Sequence, residues 1–226
     1  MADALRRGII VPEGLAAHGR GEAFDYLIGE RTSDSARLAA RIAAALIRTA
    51  HHPVISVNGN TAALAPDGIA ALQQVSGAAV EVNLFHRTDA RIEAISAHLR
   101  EHGVAVLTGT PGRLLPLAHD RALCLPHGIG SADVVLVPLE DGDRCQALRD
   151  AGKTVITIDL NPLSRTARTA HLTIVDELTR ALPGITDAYR ELSPRECATL
   201  IASLDNTVLL RSALQVMQET LSYALD

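Results

Sequence analysis

The stretch TIDLNPLSRTAR, from Thr157 to Arg168, carries the end of a short apolar run straight into a loop dense in groups that bind polyanions. Val155, Ile156 and Ile158 read as a short buried strand, and Asp159, Asn161, Ser164, Arg165, Thr166 and Arg168 follow at once. In an open α/β sheet, ligands occupy the crevice outside the carboxyl ends of the strands, where this loop falls. A turn accounts for Asn161-Pro162 and a solvated face for Arg165 and Arg168. Asp159, Asn161, Ser164, Arg165 and Thr166 together nonetheless exceed what a turn needs. Ser164 and Thr166 offer hydroxyls, Arg165 a fork suited to a triphosphate, and Asp159 an acceptor for a ribose hydroxyl. The stretch therefore predicts a nucleotide or phosphate site on an α/β fold.

Outward from it, the hydrophobic period keeps switching between strand and helix. Ser33 and Asp34 can cap a helix from Ser35 to Ala50 that stops before Pro53. Val54–Val57 reads as a strand ending in the turn Asn58-Gly59-Asn60. Pro66–Val75 is a helix, Val80–Leu84 a strand, Thr88–His102 an amphipathic helix and Val104–Leu107 a third strand. Gly109–Gly130, rich in Pro, Gly and His, has no clear period and predicts a functional loop, a lid or a partly disordered segment. Val134–Val137, a helix over Asp143–Ala151, Thr154–Ile158 and a last strand at Leu172–Val175 resume the alternation, and Ser193–Asp226 is helical with a break at Asp205-Asn206. This order implies an α/β fold with a mainly parallel sheet covered by helices on both faces. Residues 1–192 are expected to form that domain, and 193–226 a C-terminal helical extension.

Composition narrows the partners. The chain has 226 residues, 47% of them hydrophobic, enough for one large core. Its net charge of -5 provides no global field for nucleic acid or anionic lipid, and with 2% aromatics and no Trp it lacks stacking platforms for single strands. Any phosphate must be held by local constellations. Cys124, Cys145 and Cys197 are isolated, so neither a disulfide framework nor a zinc site is indicated. No apolar run approaches the roughly 20 residues that span a bilayer, and the expectation is a soluble, cytoplasmic protein.

Three further polar clusters fall at predicted turns. His18-Gly19-Arg20-Gly21 can bring main chain and an Arg fork to an anion, or can be a turn with Arg20 paired to Glu22 or Asp25. Asn58-Gly59-Asn60 ends a strand and reads as a ligand contact or an ordinary turn, and Glu81, Asn83, His86 and Arg87 border the same cleft if the neighbouring strands are adjacent. Glu140-Asp141-Gly142-Asp143 follows another strand. Its carboxylates can hold Mg²⁺, or Asp143 can cap the next helix while Glu140 is solvated. There is no phosphate-loop or nucleophile-elbow motif.

Five blocks, AHGRGEAFDYLIGE from Ala17, PVISVNGN from Pro53, VEVNLFHRT from Val80, SADVVLVPLEDGDR from Ser131 and TIDLNPLSRTA from Thr157, resemble the archaeal phosphopantothenate synthetases in the family's order. The resemblance implies a Rossmann-like homodimer that uses ATP to join 4-phosphopantoate to β-alanine, giving 4'-phosphopantothenate, AMP and pyrophosphate through an acyl adenylate on the route to coenzyme A. It places ATP on Arg20 and on Asp159, Leu160, Asn161, Ser164, Arg165 and Thr166, with Asp176 and Glu177 bordering the adenine or ribose. Asn58 and Asn60 are expected near the reacting carboxylate, with Arg20, and Mg²⁺ near Asp141 and Asp143. Family members carry further basic helical sequence ahead of the HGRGEAFDY block, and any ATP contact from it is expected to be missing here or replaced by Arg6 or Arg7. The alternatives are a nucleotide-binding regulatory protein and a ligase for unphosphorylated pantoate.

Overall fold

The computed structural model describes residues 1–223. Two helices, α1 (Ala2–Arg6) and α2 (Pro12–Ile28), precede α3 (Asp34–Thr49), which Ser33 caps by accepting from Ala36 N at 3.1 Å. Then follow β1 (Pro53–Val57), α4 (Gly59–Leu64), α5 (Pro66–Ser76), β2 (Ala79–Val82) and α6 (Asp89–Glu101). A short antiparallel pair, β3 (Gly112–Arg113) and β4 (Leu123–Cys124), precedes β5 (Val134–Leu136), α7 (Gly142–Asp150), β6 (Thr154–Ile158), α8 (Arg165–Thr169) and β7 (Leu172–Ile174). The chain closes with α9 (Leu178–Glu191), α10 (Pro194–Ala202) and α11 (Asn206–Ser222). The break expected at Asp205-Asn206 is present, with Asp205 capping α11. Residues 224–226 of the expected helical tail lie outside the described residues.

The main sheet is parallel throughout, in the order β2-β1-β5-β6-β7. Successive residues along each strand feed opposite cores, as the period of two requires. Ile55, Val57, Leu136 and Ile156 pack with α3, α5 and α9, whereas Val54, Val135, Val137 and Val155 pack with α7. The expected Rossmann-like α/β architecture is thus present, its strands apolar on both faces because both faces are covered.

Four sequence expectations are corrected. Val104–Leu107 is not a sheet strand: it touches β2 through one bridge, Val80 to Val106, before Thr108-Gly109 turns the chain away. The segment Gly109–Gly130 is ordered, holding β3, β4, a 3₁₀ turn at Asp120–Ala122 and a π-turn at Pro126–Gly130. Glu81 anchors it, its buried carboxylate accepting from Leu125 N at 2.9 Å and Ile129 N at 2.7 Å, and so faces away from the expected cleft. The cap of α7 is Asp141, accepting from Arg144 N at 2.8 Å, rather than Asp143.

The chain runs from β1 outward to β2, returns to β5 on the other side of β1, and continues to β6 and β7. The switch between the two directions lies between β1 and β5, where a crevice opens at the strand ends. Asn58 spans it, donating through Nδ2 to Pro138 O and Leu139 O, both at 3.0 Å.

Candidate active site

A cavity of about 640 Å³ lies over the carboxyl ends of β5, β6 and β7. Asp159, Leu160, Asn161, Ser164, Arg165 and Thr166 line one wall, so the loop singled out in the sequence is brought together as expected. The loop is fixed by its own side chains. Asp159 accepts from Asn161 N at 2.9 Å and Ser164 Oγ at 2.5 Å, while Ser164 caps α8 by accepting from Ala167 N at 2.9 Å. Burial raises the Asp159 carboxyl above its ordinary range, against the pull of the Ser164 and Asn161 hydrogen bonds. Arg165 lies at the rim, paired to Asp143 at 2.8 Å and packed so closely on Gly142 that a side chain there would displace it. Arg168 turns to the opposite side of the loop and is absent from the lining.

The floor holds an ion cluster missed in the sequence. Glu140, far from solvated, has a side chain 2% exposed and enclosed between two guanidiniums. Arg121 donates to both its oxygens through Nη1, and the fully buried Arg144 donates to Oε2 and, at 3.1 Å, to Ser56 Oγ. Burial would lift the Glu140 carboxyl, but Arg121 and Arg144 hold it below the usual range. Thr166 Oγ1 donates to Glu140 O at 2.8 Å and ties this floor to the Asp159–Thr166 loop. Arg144 could have been found as the i+4 partner of Glu140 at the start of a helix. Arg121, in a segment without a period, left no such signal.

Helix α2 forms the facing wall, with His18, Arg20, Gly21 and Glu22 toward the cavity. The HGRG motif is therefore helical rather than a turn. Of the partners considered for Arg20, Asp25 belongs instead to Arg180, at 2.5 and 3.1 Å. The Arg20 charge still reaches Asp159 across the cavity, pulling its carboxyl downward. Arg180 also donates to Asp176 at 2.9 Å, and the buried Asp176 accepts from Thr32 Oγ1 at 2.7 Å. Asp176 and Glu177 both line the cavity, Asp176 locked in this network and Glu177 capping α9 by accepting from Thr179 N at 2.6 Å.

A second cavity of about 390 Å³ adjoins the first at the switch point. The two share Ala17, Asn60, Phe85, Arg121 and Leu139. Asn58 lines the second, but its side chain is engaged internally, Oδ1 accepting from Thr61 N at 3.0 Å and Thr61 Oγ1 at 3.1 Å. Asn60 borders both cavities and donates to Gly14 O at 2.8 Å, which clasps α2. Gly59 lies against the carbonyl of Ile9, where no side chain would fit. Leu139 is held in left-handed backbone at φ 53, a strained conformation for a non-glycine residue and one typical of functional sites.

Of the two carboxylates expected to hold metal, Asp141 lines the first cavity and Asp143 does not. Asp141 Oδ2 is buried without a hydrogen-bond partner, and burial together with the Glu140 charge raises its carboxyl. Among the described residues no group of three or more His, Cys, Asp or Glu side chains could enclose a cation. The donor set fits one carboxylate contact to an ion carried mainly by phosphate oxygens and water, the habit of Mg²⁺.

A family model described as phosphopantothenate/pantothenate synthetase matches residues 35–220. Proteins named 4-phosphopantoate–β-alanine ligase from Methanospirillum hungatei, Methanosarcina mazei and Thermococcus kodakarensis are 57%, 52% and 46% identical to this chain. The matches cover 100%, 98% and 97% of the chain and 93%, 89% and 87% of those relatives. The resemblance carried by the five sequence blocks is borne out, and the chain belongs to the phosphopantothenate/pantothenate synthetase family.

Proposed function

We propose that this chain is the ATP-dependent ligase that joins 4-phosphopantoate to β-alanine, yielding 4'-phosphopantothenate, AMP and pyrophosphate on the route to coenzyme A. The observation that carries the reading is the pair of adjoining cavities at the switch point, one walled by the Asp159–Thr166 loop and the other meeting it at Arg121. The larger suits a nucleotide and the smaller the acid, so the shared wall sets the carboxylate against the α-phosphorus. A carboxylate oxygen attacks that phosphorus as its bond to pyrophosphate breaks, giving the acyl adenylate. The β-alanine nitrogen, as the free amine, then attacks the acyl carbon. AMP leaves with the C–O electron pair and the nitrogen sheds a proton to solvent. No protein nucleophile is required, so the work is positioning and charge neutralisation.

In this reading Arg20 and Arg165 meet the phosphates, Ser164 and Thr166 shape the loop that holds them, and Asp159 with Leu160 and Asn161 borders the nucleoside beside Asp176 and Glu177. Asn58 and Asn60 act by holding the crevice and α2 in place. Asp141 would hold Mg²⁺, which when bound neutralises triphosphate charge. The test is to incubate the chain with ATP, Mg²⁺, β-alanine and 4-phosphopantoate. AMP and pyrophosphate are expected to appear together; release of ADP, or turnover only with unphosphorylated pantoate, would overturn the assignment. We also take the protein to be cytoplasmic and homodimeric. Its buried, unpaired cysteines suit a reducing compartment, and Leu38 and Val208 line an exposed groove suited to a second copy.

A further inference from the structure

We infer that Arg121 is the residue that receives the reacting carboxylate of the acid substrate; the inference rests on the reading above and adds to it the group that brings the two anionic reactants together. Of the five residues shared by the two cavities, Arg121 is the one that carries a charge. A carboxylate approaching a triphosphate is repelled unless a cation stands where they meet, and that position belongs to Arg121.

Its guanidinium also keeps donor capacity that its carboxylate partners leave unfilled. The bonds to Glu140 run through Nη1 alone, and Nε is buried without a hydrogen-bond partner, 3.7 Å from Asp141 Oδ2. Because Arg144 also pairs with Glu140, Arg121 shares that carboxylate and otherwise has only the longer ion pair to Asp141. The other guanidinium on the acid cavity, Arg91, is spent on main chain, donating to Ile9 O at 3.0 Å and to His86 O. Arg121 is further held in place by its segment. Leu114 N donates to Ala122 O at 2.9 Å, and Asn83 Nδ2 donates to Leu123 O at 3.0 Å, so the 3₁₀ turn carrying Arg121 is pinned at its C-terminal end.

In the first step the carboxylate oxygen forms its bond to the α-phosphorus and pyrophosphate departs with the electron pair of the broken P–O bond. Arg121 stays protonated, giving hydrogen bonds to the oxygen that does not attack. The test compares Arg121→Gln and Arg121→Lys with the unaltered chain in acid-dependent ATP–pyrophosphate exchange, which reads this step without β-alanine. It also compares KM for the acid and calorimetric ATP affinity. Loss of a charged hydrogen bond at the reacting group should raise the acid KM and slow exchange by about 10- to 100-fold in Arg121→Gln, with ATP affinity within about two-fold. Arg121→Lys keeps the charge beside Glu140 and should recover part of the rate, and guanidinium ion should rescue Arg121→Ala. Unchanged acid KM and exchange, or a loss confined to ATP affinity, would overturn the inference while leaving the ligase reading intact. An unaltered chain that exchanges with no acid at all would sink both.

Discussion

Glu140 is the residue on which the site's floor depends, because it is the carboxylate that lets two guanidiniums be buried side by side. Replacing a buried pair with apolar groups can be neutral, but removing one partner leaves charge uncompensated, at a cost of about 3–5 kcal/mol. Glu140→Gln should therefore lower the free energy of unfolding by about that amount, read from the denaturant midpoint. The pH dependence has a definite sign. The folded pKa of Glu140 lies below its ordinary value of 4.5, so its stabilisation is complete above that value and is lost as pH falls through the folded one. Acid titration of stability should show this loss below pH 4.5 in the natural chain and a flatter curve in Glu140→Gln. Equal curves would remove Glu140 from this role. Lysine for Arg121 would test the floor differently, since it keeps the charge but not the fork.

Helix α2 presents the same question at the scale of an element. It has one fully buried residue, Ile28, with Leu15, Phe24 and Leu27 partly buried, and glycines at positions 14, 19 and 21, so packing and propensity account only in part for its place over the larger cavity. Polar clasps supply what packing does not: Asp25 to Arg180 at one end and Gly14 O to Asn60 near the other. Cutting the first clasp in Arg180→Gln should free the stretch that carries His18 and Arg20. The expected outcome is a several-fold rise in KM for ATP with little change in KM for β-alanine, at a stability cost of about 1–3 kcal/mol, above that of a surface pair because the buried Asp176 loses a partner. A larger loss of stability with unaltered kinetics would mark the pair as structural only. The same physics explains why α2 and α9 were hard to read. In α2 apolar residues form no stripe, and in α9 Pro183 and Gly184 interrupt a helix whose Leu178, Leu182 and Ile185 are nonetheless buried between α3 and α5. By contrast α3, with an Ala-rich stripe and Ser33 at its start, was plain in the sequence. Val104–Leu107 misled because a short apolar run that touches a sheet once looks the same as one that joins it.

For the whole molecule, alternation of strand and helix was enough to predict a parallel sheet, yet not its order, and the order makes the site. Only when β5 lies beside β1 do Asn58, Pro138 and Leu139 meet, and only then does Arg121 arrive between the two cavities. The Asp159–Thr166 loop was legible because a single stretch of chain contains both the strand end and the groups that follow it. The Arg121–Glu140–Arg144 floor was not, because its members come from separate segments joined by folding. The groove between α3 and α11 sets Leu38, Val208 and Val216 within a polar rim that includes Arg31, Arg37 and Glu219; it shares no lining residue with either cavity, and its Leu38 and Val208 are 42% and 53% exposed. Apolar side chains placed together in this way suit an interface between two copies, since burying them on association stabilises it by about 25 cal/mol per Å². Light scattering should then find the full chain as a dimer. Val208→Asp, which puts a charge in that groove, should shift it to monomer while ATP affinity stays within about two-fold, because the altered residue touches neither cavity. A Val208→Asp protein that remains dimeric would move the interface elsewhere on the surface, and one that loses ATP affinity on becoming monomeric would show that the second copy supports the site after all.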